Sequence, residues 1–296
     1  MNMTDPFRIF TLQELGVSQS RFIWNLSPTF SALEWDYYDV KRGQVAFLKQ
    51  RFPGETERLN NFLVDYYANR KNLLAVEDLI SRLVLSERWV LERIRPRRKR
   101  SIAKFVLTKD NGKLFFSEFG WNVERIPAQS FSQNAESESG DVRSLKRVFP
   151  EMSGRVTSNQ DFWHLLLSLA HLVISVHRHS IREITITAHQ VSIFAELEHD
   201  GDNAPEGIHQ DGSDYIVSAL VVERDGILGG QSIVYGADKK TELLRHTLIP
   251  GEGLFQADKN SSLWHDVTPI REDPDIPPTY GKRSIFGFDI DVTDEG

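Results

Sequence analysis

From about Glu183 onward the chain is a succession of short β-rich segments: ITITAHQVSIFAEL, YIVSALVV, QSIVY, HTLIP, GEGLFQAD and SIFGFDIDV. Gly, Pro, Asn and Asp separate them, as turn residues do between strands. This pattern predicts an all-β half folded as a double-sheet jelly roll. The half before it differs. ETERLNNFLVDYYANRKNLLAVEDLISRLVLSERWVLERI repeats its apolar residues at intervals of three and four, so residues from about 30 to 95 read mainly as helix. IAKFVLTKDNGKLFFSEFGW reads as a hairpin turning at Asp110-Asn111-Gly112. The polar stretch QSFSQNAESESGD, residues 129–141, reads as a loop, and QDFWHLLLSLAHLVISVHRH, residues 160–179, as a helix with a broad apolar face. The expected class is α+β: a mainly helical part with a hairpin over 1–182 packs on a jelly-roll core over 183–296, the two forming one integrated domain.

Composition narrows the chemistry. The 296 residues include no cysteine, which excludes disulfides, zinc-thiolate sites, iron-sulfur clusters and a cysteine nucleophile. Any metal must be held by His, Asp, Glu or water. A net charge of −7 argues against general nucleic-acid binding. MNMTDPFRIF lacks a basic region followed by an apolar run, and no stretch is long and apolar enough for a membrane span. A cytoplasmic protein with no membrane partner is the expectation.

The segment EGIHQDGSDY, residues 206–215, raises the question of a metal. In extended backbone His209 and Asp211 point to the same side, as two ligands of one ion require. A polar turn at the mouth of a strand accounts for the same residues, and the local sequence leaves both readings open. SLWHDVTPI adds His265 in a β-like segment, and two His with one carboxylate are the facial set of non-haem iron(II). GKRSIFGFDIDV places Arg283 at the start of the last strand, where it can hold a carboxylate bidentately. Gly229-Gly230 reads as a tight turn into the strand 231–235, not as a phosphate loop, since no helix follows.

Taken in order, HxD, Gly-Gly before a strand, His and a closing-strand Arg resemble the iron(II)/2-oxoglutarate-dependent dioxygenases. PEGIHQDGSDYIVSALVVERDGILGGQSIVY looks like the branch of bacterial free-amino-acid hydroxylases that includes isoleucine 4-hydroxylase. The resemblance spans residues 184–292. It implies a double-stranded β-helix core of the cupin kind, with Fe(II), 2-oxoglutarate and O2 as cofactor and co-substrates. By residue it implies His209, Asp211 and His265 as iron ligands and Arg283 as the clamp on the remote carboxylate of 2-oxoglutarate. Arg271 also follows His265, but REDPDIPPTYG reads as a loop, and a rigid strand positions a clamp better. An aspartate in the carboxylate position implies hydroxylation or desaturation, since related halogenases have a small residue there. The implied substrate is a small molecule, a free L-amino acid or derivative.

Other clusters take plainer readings. His164, His171, His177 and His179 read as structural or solvated residues of one helix and its end. Arg93, Arg95, Arg97, Arg98, Lys99 and Arg100 read as a solvated linker before a strand, and Trp264 as core packing. Asp214, Tyr215, Arg224 and Glu196 lie near the HxD segment in sequence, with no indication of which of them face a pocket. Two other functions stay open. One is a catalytically silent jelly roll that binds a ligand or partner. The other is an oxygenase acting on nucleic acid or protein, for which the basic cluster is the sole support.

Overall fold

The computed structural model describes residues 6–109, 120–128, 130–132, 145–196, 199–202, 207–276 and 281–295. Its centre is a seven-stranded antiparallel sheet. In chain order the strands of the fold are β1 (Phe7–Thr11), β2 (Arg98–Lys109), β3 (Trp121–Ile126), β4 (Ile181–Ala195), β5 (Tyr215–Asp225), β6 (Ile227–Gly229), β7 (Ser232–Tyr235), β8 (Glu242–His246), β9 (Glu252–Ala257), β10 (Trp264–Val267), β11 (Ile270–Glu272) and β12 (Gly281–Asp294). The large sheet runs β1-β9-β5-β12-β4-β2-β3; a second sheet, β10-β7-β8, and the ribbon β11-β6 complete the jelly roll. Three of the seven strands, β1 to β3, come from the N-terminal part. The chain thus builds one sheet from both halves.

Alternation along the strands separates two apolar layers. On β12, Phe286, Phe288 and Ile290 belong to a core with Phe105 and Leu107 of β2 and with the helices α1 (Gln19–Leu26) and α7 (Gln160–Val176). Ile285, of the opposite parity, joins Val191 and Ile193 of β4, Val221 of β5 and Val234 of β7 in the layer between the sheets. Helix α7 starts at Asn159, whose side chain accepts a hydrogen bond from the Phe162 N–H at 3.1 Å. Phe162 is fully buried, with ring centroids 5.3 Å from Phe286 and 6.0 Å from Phe105. Phe162→Ala is therefore expected to lower stability by about 3–5 kcal/mol. A shifted denaturant midpoint with unchanged metal binding checks this.

The remaining helices are α2 (Tyr37–Arg51), α3 (Thr56–Tyr67), α4 (Glu77–Ile80), α5 (Leu85–Arg93) and α6 (Gly154–Thr157). Helices α2 to α5 gather around their own small core of Leu48, Leu59, Phe62, Leu63 and Leu79, as the helical periodicity predicts. The Asp110-Asn111-Gly112 turn lies outside the described residues. The strand that pairs with β2 begins only at Trp121, opposite Lys109. Most of the expected loop 129–141 also lies outside them. Among the described residues, no helix is long and apolar enough to cross a membrane.

Candidate active site

Three short pieces of backbone bring the sequence candidates together. His209 and His265 face each other in an isolated antiparallel bridge, each N–H donating to the other's carbonyl at 3.0 Å. Two residues on, Asp211 places one carboxylate oxygen 3.4 Å from His209 Nε2 and the other 3.4 Å from His265 Nε2. One ligand atom from each of the three lies within 4.8 Å of the others. His209 Nδ1 donates to the Gly207 carbonyl at 2.6 Å, which turns Nε2 toward Asp211. Burial alone raises the Asp211 carboxyl, but the flanking His265 and His209 imidazoles hold it well below the usual carboxylate range. Two imidazole nitrogens and an ionised carboxylate on one side of the backbone suit a divalent non-haem iron with open positions. The helix-end histidines belong to no such group among the described residues. His177 instead caps α7 and pairs with Asp294 at 2.8 Å.

Sequence reasoning missed the residue beneath this centre. Asp258, fully buried, accepts hydrogen bonds from the backbone N–H groups of Gly212 at 2.6 Å, Asp211 at 3.2 Å and Ser213 at 3.2 Å. Its carboxylate also lies 3.8 Å from His265 Nδ1. Burial, and then the Asp211 charge, push Asp258 up to about 6. Its position just past the end of β9 carries no motif that marks it.

Among the described residues, Arg283 is the largest fully buried side chain. It pairs with Ile193 of β4 and with Arg224 of β5, on the same face of β12 as Ile285. Burial, and then the neighbouring Arg224, push its guanidinium down to about 9. Both glycines of Gly229-Gly230 have positive φ, 77° and 66°. A Cβ on Gly230 would stand 3.0 Å from Arg224 Nη1 and 3.2 Å from Arg283 Cδ, so glycine gives the two arginines their room. A buried guanidinium beside a second one suits a dianion such as 2-oxoglutarate. Arg271 is exposed and lies in β11 opposite Leu228, so the expected loop is a short strand there.

A cavity of about 130 Å³ adjoins the centre. Its lining includes His209, Asp211 and His265 together with Arg98, Arg100, Arg147, His189 and Asp289, and reaches Ile193 and Ile285. Arg93 and Arg95 are exposed ahead of the strand, as a solvated run requires, but Arg98 to Arg100 are not part of a linker. Arg98 to Arg100 begin β2, and its alternation aims Arg98 and Arg100 inward. The cluster therefore forms no single outward basic patch. Asp214, Tyr215, Arg224 and Glu196 are not in this lining. Trp264 is half-buried, with Lys239 Nζ 3.5 Å from its ring centroid, and is not part of the apolar core.

A sequence profile of the 2OG-Fe dioxygenase family matches residues 86–289. No curated protein sequence matches the chain. Among solved structures, a bsmA homologue from Methylobium petroleophilum is 18% identical, with a TM-score of 0.65 over 97% of this chain and 88% of that one. IDO from Bacillus thuringiensis is 14% identical over 67% of this chain and 78% of that one, at a TM-score of 0.49. The Fe(II)/(alpha)ketoglutarate-dependent dioxygenase TqaL is 14% identical over 96% and 89%, at 0.46. The first of these shares the fold. Since the family profile extends from the end of the helical layer through the HxD segment to the closing strand, this chain belongs to the 2OG-Fe dioxygenases and is a 2-oxoglutarate-dependent iron dioxygenase.

Proposed function

We propose that this dioxygenase hydroxylates an unactivated C–H bond of a free L-amino acid or a close derivative. His209, Asp211 and His265 would hold the iron and Arg283 the remote carboxylate of 2-oxoglutarate. The observation that carries the reading is the approach of the two imidazoles and one carboxylate to within 4.8 Å at a cavity wall. Bound iron supplies, with 2-oxoglutarate and O2, the oxidising power for C–H cleavage. The protein's part is geometric. Gly207 fixes the His209 tautomer, Asp258 fixes the turn that carries Asp211, and Arg283 sets the depth of the co-substrate. The cavity also offers groups that an amino acid needs: guanidinium groups for a carboxylate, and the Asp289 carboxyl, which burial raises and which an ammonium group would help to ionise.

A screen of the amino acids with Fe(II) and 2-oxoglutarate tests this. One of them should drive succinate formation coupled to a product heavier by one oxygen atom. Uncoupled succinate formation with every amino acid and derivative would remove the substrate assignment.

Asp258→Asn keeps the shape but loses one acceptor for the three N–H groups of the Asp211 turn. Partners behind metal ligands typically change metal affinity by about 10- to 100-fold, and a loss of that size is expected. Anaerobic Fe(II) titration measures it. Native affinity in the variant would show that the turn holds without the carboxylate.

A further inference from the structure

The register of the large sheet turns a second arginine toward Arg283. β12 faces β5 with a slip near its start. Arg283 lies opposite Arg224 and Ser284 opposite Glu223, but Ile285 lies opposite Val221. Val222 is therefore the extra residue of a β-bulge. Val221 points into the layer between the sheets, and Val222 into the core with α1 and α7. Strict alternation from there would put Glu223 in that layer and Arg224 outside it. The bulge reverses both. Glu223 shares a face with Ser284, whose Oγ donates to it at 3.2 Å, and Arg224 shares the inner face with Arg283. Bulges re-aim side chains in this way beside active sites.

Arg224 is anchored there with one nitrogen unsatisfied. Its Nη2 donates to the Gly229 carbonyl at 2.8 Å. Its Nη1 is buried and meets no acceptor among the described residues. The nearby acids do not supply one. Glu223 takes Lys282 Nζ at 2.8 Å, and the buried Oε2 of Glu272 in β11 likewise has no hydrogen-bond partner. Burial lowers the Arg224 guanidinium from its ordinary value. A buried N–H without an acceptor is costly, and such a group is accounted for where a ligand supplies the acceptor. Gly230 keeps the space at Nη1 open, since a Cβ there would press on Arg224 Nη1 and on Arg283 Cδ. The cavity beside the iron ligands leads to this end. Its lining reaches Ile193, which pairs with Arg283, and Ile285, two residues along the same face.

We propose that Arg224 is a second co-substrate-binding residue: its Nη1 donates to the remote carboxylate of 2-oxoglutarate beside Arg283, so that guanidinium groups from two facing strands grip one carboxylate. This rests on the reading of Arg283 as the co-substrate clamp. The chemistry fits, because an ionised carboxylate has two oxygens and about four acceptor positions, enough for donors from both arginines. Side chains directly opposite in a sheet start about 5 Å apart, a gap that a carboxylate between their tips can bridge. Arg283 then sets how deep the carboxylate sits, and Arg224 fixes it from the facing strand.

The test is calorimetric titration of the whole protein loaded with Mn(II). The probes are N-oxalylglycine, a non-reactive analogue that keeps the remote carboxylate, and N-methyloxamate, which ends in a methyl group instead. Native protein should bind the first about tenfold or more tighter than the second. Arg224→Gln should weaken N-oxalylglycine by about tenfold or more and leave N-methyloxamate unchanged, which also shows that the metal site is intact. Arg224→Lys should recover part of the loss, since lysine supplies the charge without the fork. A purely structural arginine would give equal losses in the two variants, because neither reproduces the bond from Nη2 to Gly229. Equal losses therefore overturn the proposal. So does native binding of N-oxalylglycine by Arg224→Gln while Arg283→Ala abolishes the preference, and in that case the clamp itself stands. Equal binding of both probes by the native protein overturns the clamp and Arg224 together.

Discussion

His209→Ala and Asp211→Ala are each expected to reduce iron-dependent consumption of 2-oxoglutarate to background. Two ligands in place of three leave the metal weakly held and its open positions misdirected. Because the three act as one unit, the double variant should be no worse than either single one. The fold should survive. The bridge between His209 and His265 is made by backbone groups, which alanine retains. Thermal unfolding of the metal-free variants, read beside Fe(II) titration and succinate formation, separates loss of site from loss of fold. Native turnover in either variant would sink the ligand assignment.

Arg283→Ala is expected to raise the apparent constant for 2-oxoglutarate steeply, with little change in iron affinity. Removing one partner of a buried, charge-assisted pair typically costs about 2–5 kcal/mol, on the order of 30- to 4000-fold in affinity. Lysine should restore only part, because it brings a point charge without the planar fork. Arg271→Ala is the control: that side chain is exposed, and its loss should change the constant little. Co-substrate binding by the metal-loaded variants measures both effects. The reverse pattern, with Arg271 the sensitive residue, would mean that the co-substrate reaches toward β11 and not toward the buried end of β12.

Much of the fold was legible in advance because it rests on local pattern. The change from three-and-four periodicity to short alternating runs marked where the chain becomes mostly β, near Ile181 at the start of β4. The glycines before β7 were legible as a turn because positive φ is cheap for them alone. β1 was not foreseen. FRIFT is five residues long, and it is a strand because β9 offers it an edge to pair with.

By itself the sequence determined the donor chemistry: without cysteine, it left HxD and a later His as a group that could hold a metal, with the closing-strand Arg283 as the proposed clamp on a dicarboxylate. Only the tertiary structure decided which charges face the cavity. Arg98 and Arg100 look like part of a solvated run until β2 pairs with β4, putting Arg100 opposite Val191 and Arg98 opposite Ile193. His189 and Asp289 are a hundred residues apart and meet at 2.9 Å because β4 and β12 lie side by side. Asp258 matters through three N–H groups from a turn more than forty residues away in the chain. A side chain's inward or outward aim reverses with each step along a strand, so it is set by register, and register is a property of strands far apart in sequence.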